Sequence, residues 1–123
     1  MSDKKMVLLV DDDIDFIESY TLILEKEGFE IKSALSSEEG LKIAKNDSPN
    51  LIILDVMMES ADSGFEFAEA LKEGNFDIPI ILSSSIAAAS GRNFDLNDLN
   101  VRTVLQKPVD IDKFIALCKK YAR

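Results

Sequence analysis

Leu51-Ile52-Ile53-Leu54-Asp55 lies near the middle of a 123-residue chain, and its reading decides the rest. Four large apolar residues run without a break and stop at a carboxylate. An unbroken, Ile-rich run of this length predicts a strand covered on both faces. Such a strand delivers Asp55 to the carboxyl edge of a sheet, where open α/β sheets bind ligands. Met6 to Val10 repeats the pattern and stops at Asp11-Asp12-Asp13. If both runs are parallel strands, both sets of acids meet at one edge.

Working outward, Ile14 to Lys26 has helical spacing, with Ile17, Tyr20 or Thr21, and Leu24 on one face. Asp13 is placed to cap this helix and Gly28 to end it. Phe29 to Ala34 reads as a short strand. Ser36-Ser37-Glu38-Glu39 carries a capping-box pattern ahead of a helix over about 37–46. Phe65 to Glu73 is a further helix, with Phe65, Ala68 and Leu71 on one face and Gly74-Asn75 at its end. Pro79 to Leu82 is a strand running into Ser83-Ser84-Ser85. The stretch from Ile86 to Asn100 predicts a mobile loop with a short helix. Val101 to Gln106 is the last strand and ends at Lys107-Pro108. Asp110 caps a final helix to Tyr121, with Ile111, Phe114, Ile115, Cys118 and Ala122 as its apolar stripe. This β-α alternation predicts one α/β domain over residues 1–123: a doubly wound, five-stranded parallel sheet in the flavodoxin-like order 2-1-3-4-5.

Composition narrows the function classes. The net charge of −9 opposes non-specific binding to nucleic acid or anionic membrane and favours a cation pocket or a basic partner. One cysteine, Cys118, rules out an internal disulfide and fits a reducing compartment. Met1-Ser2-Asp3-Lys4-Lys5 leads into too short an apolar run for a signal peptide or a membrane span. A cytoplasmic protein is the expectation. There is no histidine, which excludes His-based catalysis and His metal ligands in this chain.

Four strand ends carry polar groups: Asp11-Asp12, Asp55, Ser83-Ser84-Ser85 and Lys107. Clustered carboxylates repel one another unless a cation intervenes, and an all-oxygen set suits Mg²⁺. A Lys and a hydroxyl beside them can hold phosphoryl oxygens, and a carboxylate can attack phosphorus. Taken singly, each group has a plainer reading. The acid triplet could be a helix cap or a solvated loop, the Ser triplet a turn, and Lys107 a surface side chain. Asp13 is assigned mainly to capping, the Met57-Met58 pair to packing, and Cys118 to a buried, inert site.

In this order and at these strand ends, the residues resemble the receiver domains of two-component response regulators along essentially the whole chain. The resemblance implies that Asp55 is the phosphoacceptor. It implies that Asp11, Asp12, Asp55 and the main-chain carbonyl of Met57 hold Mg²⁺. Lys107 would pair first with Asp55 and then with a phosphoryl oxygen, and Ser84, with Ser83 as the second choice, would donate to the phosphoryl group. It implies a sensor histidine kinase or a histidine phosphotransfer protein as donor and a downstream protein as target, with no direct contact to nucleic acid or membrane. A stand-alone receiver, monomeric or dimerising on phosphorylation, is the expectation. The basic residues Lys113, Lys119, Lys120 and Arg123 on the last helix point toward an acidic partner. Three positions depart from the family pattern. Glu59 stands where Pro is usual, Gly64 comes one residue late after Asp55, and Val104 replaces the aromatic residue before the Lys. Two alternatives stay open: a haloacid-dehalogenase-type phosphatase using Asp11 and Asp13, and a pseudo-receiver that only binds partners.

Overall fold

The two apolar runs become neighbouring strands. A computed structural model of the chain describes residues 4–56, 63–84, 100–107 and 109–122. In chain order it contains β1 (Met6–Val10), α1 (Ile14–Lys26), β2 (Glu30–Ala34), α2 (Ser37–Asp47) and β3 (Leu51–Asp55). There follow α3 (Ser63–Glu73), β4 (Ile80–Ser84), β5 (Val101–Gln106) and α4 (Ile111–Tyr121). Every strand pair is parallel and the sheet order is β2-β1-β3-β4-β5, as the alternation predicts. Strand order reverses at β1, which has β2 on one side and β3 on the other. The crevice of such a sheet opens there, at the carboxyl ends of β1 and β3.

Alternation along the central strands divides the core in two. Leu8, Val10, Ile52, Leu54, Ile80 and Leu82 face α2 and α3, where Ala44, Phe65, Phe67, Ala68 and Leu71 cover them. Val7, Leu9, Leu51, Ile53, Ile81 and Leu105 face α1 and α4, where Ile17, Leu24, Phe114 and Cys118 cover them. Each such aliphatic side chain taken from water contributes about 1.5–3 kcal/mol before entropy is counted. Covering both faces explains why these strands read as continuous apolar runs.

The helix ends follow their sequence signals. Asp13 caps α1, accepting from the backbone N–H groups of Asp15 and Phe16. Ser36 caps α2 by accepting from Glu39 N–H, while the Glu39 carboxylate accepts from Leu35 N–H, one residue earlier than a standard capping box. Gly28, at φ +93°, closes α1. Gly28 N–H donates to Glu25 O and Phe29 N–H to Leu24 O, a Schellman motif.

Several boundaries differ from the sequence reading. β2 starts at Glu30 rather than Phe29. β4 runs through Ser83 and Ser84 instead of stopping at Leu82, because Asp55 pairs with Ser83 and Ser84 with Gln106. The end of α3 falls at Gly74-Asn75 as read, with Asn75 in the left-handed position at φ +61°. Ile111 is exposed, so the covered stripe of α4 begins at Phe114. The helix expected within 86–100 lies outside the described residues, as do Met57 and Glu59.

Candidate functional site

Strand register assembles the acidic group. Val10 pairs with Leu54, so Asp11 and Asp55, each one residue further on, stand level on adjacent strands. Asp11 N–H donates to Ala34 O at 3.1 Å and so extends the β1–β2 pairing by one residue. Asp11 and Asp55 are buried, while Asp12 is exposed at the mouth. Carboxylate oxygens of Asp11, Asp12 and Asp55 all lie within 4.8 Å of one another. That span is close to twice the ~2.1 Å Mg–O distance, so one small hard cation fits among them. All three donors are oxygen, which matches such an ion.

Lys107 enters from the other side. Its backbone N–H donates to Ser84 O at 2.7 Å, which fixes the chain just past β5 against the end of β4. Its ammonium lies 2.6 Å from Asp11 Oδ2 and 3.9 Å from Asp55 Oδ2. The resemblance pairs this Lys first with the acceptor Asp, yet here the shorter bond goes to Asp11. Asp11 is the carboxylate most removed from water, and a buried charge gains most from a partner. The second oxygen of Asp11, Oδ1, accepts from Asp13 N–H at 2.9 Å. Three carboxylates and one ammonium leave a net local charge of about −2, which favours a divalent cation in the group.

Aromatic packing supports the ammonium, and this the sequence reading missed. Lys107 Nζ sits 4.5 Å from the ring centroid of Phe16. Phe16 stacks on Tyr20 at 4.3 Å, and Tyr20 meets Phe114 edge-on at 4.9 Å. A cation over a ring gains about 0.5–1 kcal/mol at a partly exposed position. The available signal was the place of Phe16 one turn into α1, the helix that starts directly behind the acids.

Gly64 was also undervalued. Its N–H donates to Val56 O at 2.9 Å. A Cβ there would come within 2.8 Å of Val56 Cα and 2.9 Å of Asp55 O. The start of α3 therefore rests directly on the backbone that carries Asp55. The extra residue before Gly64 does not prevent this contact.

Of the remaining predicted residues, Ser84 ends β4 and is buried, and Ser83 beside it is buried too. Met57 falls outside the described residues. Asp13 is used as the cap of α1 and as a donor to Asp11, the structural role expected of it. Val104 is partly exposed on β5.

With this geometry established, similarity to known proteins becomes informative. The profile for the response regulator receiver domain matches residues 7–119. The probable transcriptional regulator ycf27 of Cyanophora paradoxa is 36% identical over 89 residues, which cover 72% of this chain and 36% of that protein. The transcriptional regulatory protein PrrA of Mycobacterium tuberculosis is 31% identical over 117 residues, covering 95% of this chain and 49% of PrrA. These matches thus span between a third and a half of the relatives' own length. Among solved structures, a CheY-like response regulator receiver domain protein from Methanospirillum hungatei superposes with a TM-score of 0.86 at 28% identity. That superposition covers 96% of this chain and 93% of the other.

Proposed function

The chain belongs to the response regulator receiver domain family, and from that membership we propose that it accepts a phosphoryl group on Asp55 in a Mg²⁺-dependent reaction. The observation that carries the proposal is the meeting of Asp11, Asp12, Asp55 and Lys107 at one sheet edge. An Asp55 carboxylate oxygen forms the new bond to phosphorus. The bond from phosphorus to the donor breaks, and its electron pair leaves with the donor. Water later attacks the same phosphorus, releases inorganic phosphate and restores the carboxylate. Asp11, Asp12, Asp55 and the Met57 carbonyl would hold the cation directly or through water. When bound, Mg²⁺ neutralises the phosphoryl oxygens. Lys107 exchanges its carboxylate contacts for a phosphoryl oxygen, and Ser84 donates to another. The modification replaces one negative charge with roughly two, which biases the segment after β4 between two arrangements.

The proposed donor is a sensor histidine kinase or a histidine phosphotransfer protein, the target is a second protein, and the setting is the cytoplasm. The named relatives are transcriptional regulators, but at a net charge of −9 this chain is not proposed to touch DNA itself. The phosphatase alternative needs Asp13 at the reaction centre, and its use as the α1 cap weighs against that. Incubation with acetyl phosphate and Mg²⁺ tests the proposal by intact mass. One added phosphoryl in the wild type, absent from Asp55→Asn and from chelator-treated protein, is expected. Phosphoryl that persists in Asp55→Asn removes Asp55 as the acceptor. No uptake at all in the wild type favours a pseudo-receiver.

A further inference from the structure

On the face that packs against α1 and α4, the four adjacent strands β1, β3, β4 and β5 change from apolar to polar in step at their carboxyl ends. Leu9, Ile53, Ile81 and Leu105 share one core cluster. Side chains two residues apart on a strand share a face. Two residues beyond these four stand Asp11, Asp55, Ser83 and Lys107. Three of them form the acidic site with its lysine. Ser83 is the fourth, and it pairs in register with Asp55 on one side and Leu105 on the other. Ser84, the hydroxyl that the family resemblance selects, leaves β4 on the opposite face, that of Leu54 and Leu82.

Ser83 is 1% exposed, and its Oγ has no hydrogen-bond partner among the described residues. A buried hydroxyl without a partner carries a free-energy cost that an apolar residue of the same size would avoid. A position in the middle of a covered sheet would otherwise take an aliphatic residue, as Ile80, Ile81 and Leu82 do before it. The polar group nearest in register is the Asp55 carboxylate.

We infer that Ser83 is a positioning residue for Asp55: its Oγ–H donates to the carboxylate as the carboxylate turns to attack phosphorus, fixing which oxygen faces the incoming group. A donor held on the neighbouring strand adds to the rate by limiting the reorganisation to the carboxylate itself. This deepens the reading of Asp55 as phosphoacceptor and rests on it. Ser84 keeps its separate proposed role on the phosphoryl oxygens.

Ser83→Thr, Ser83→Val and Ser83→Ala separate the hydroxyl from its volume, since Thr and Val differ mainly in that group. The rate of phosphoryl uptake from acetyl phosphate is measured at saturating Mg²⁺, beside the thermal unfolding midpoint of each variant. Ser83→Val and Ser83→Ala are expected to take up phosphoryl on the order of 10-fold more slowly. Ser83→Thr stays near the wild-type rate, and Ser83→Val unfolds no earlier than Ser83→Thr. Equal rates in Thr and Val variants overturn the inference and leave the Asp55 reading intact, because the wild type still takes up phosphoryl. A wild type that takes up none defeats both at their common base. If Ser83→Val fails to fold, Thr against Ala decides the matter, and if Ser83→Thr fails to fold, the wild type against Ser83→Ala decides it.

Discussion

Cys118 shows how completely one position can be set by its surroundings. It sits on the buried stripe of α4 against the β-sheet, and burial pushes its thiol up to about 12. The shift fixes the sign of a pH effect. Between pH 9 and about 12 the unfolded thiol ionises while the folded one keeps its proton. The unfolded state then binds fewer protons, so stability falls as pH rises through that window and is unaffected below it. From pH 8 to pH 10 the wild type is expected to lose about 1 kcal/mol more than Cys118→Ala, read from urea unfolding. Equal losses in the two proteins would show that the thiol does not feel its burial. Lys107 shows the opposite case. Its residue type and its pairing with Asp55 were legible, and its other partners were not. The shorter contact to Asp11 and the ring of Phe16 beneath the ammonium both depend on where α1 lies against β5.

The helices show which end signals are strong. Asp13, Ser36 and Asp110 were each readable as N-caps, and each accepts from backbone N–H groups in the first turn. Capping is local chemistry between residues two or three apart, so sequence determines it. The end of α3 was less readable, because Gly74 and Asn75 stand side by side. Asn75 N–H donates to Lys72 O and Phe76 N–H to Leu71 O, so the left-handed position falls on Asn75. Gly is free of the strain that Asn meets there. Asn75→Gly is therefore expected to raise stability by a few tenths of a kcal/mol, and Asn75→Val to lower it by about 1–2 kcal/mol. Denaturant midpoints of the three proteins check the order. A Val variant as stable as the wild type would contradict the positive φ. Strand β4 extends two residues past the end read from sequence, since serines do not mark themselves as strand residues. Pairing with β3 and β5 carries the strand through them.

At the scale of the whole molecule, one sheet edge gathers like charges from two places in the chain, just past β1 and at the end of β3. This arrangement stores repulsion that a divalent cation relieves, so the proposed metal site has a thermodynamic signature. Mg²⁺ binding only the folded state raises stability by about 2.7 kcal/mol at a hundred times its Kd. For a domain of this size that is a rise of several °C in Tm. Asp12→Asn is expected to do the reverse in each condition: more stable than the wild type in chelator, with most of the Mg²⁺-dependent rise lost. An undiminished rise in that variant would remove Asp12 from the metal site. Sequence by itself determined the element types, the parallel order of the sheet, the caps and the chemical identity of Asp11, Asp12, Asp55 and Lys107. Apolar runs, turn residues and strand-end acids are local signals that survive without a partner in space. Tertiary structure alone decided that Asp11 holds the lysine, that Phe16 supports it, that Gly64 lies against the Asp55 backbone and that Ser83 shares the acidic face. These depend on register and on the side of the sheet each residue takes, and a shift of one residue along a strand turns every side chain to the opposite face.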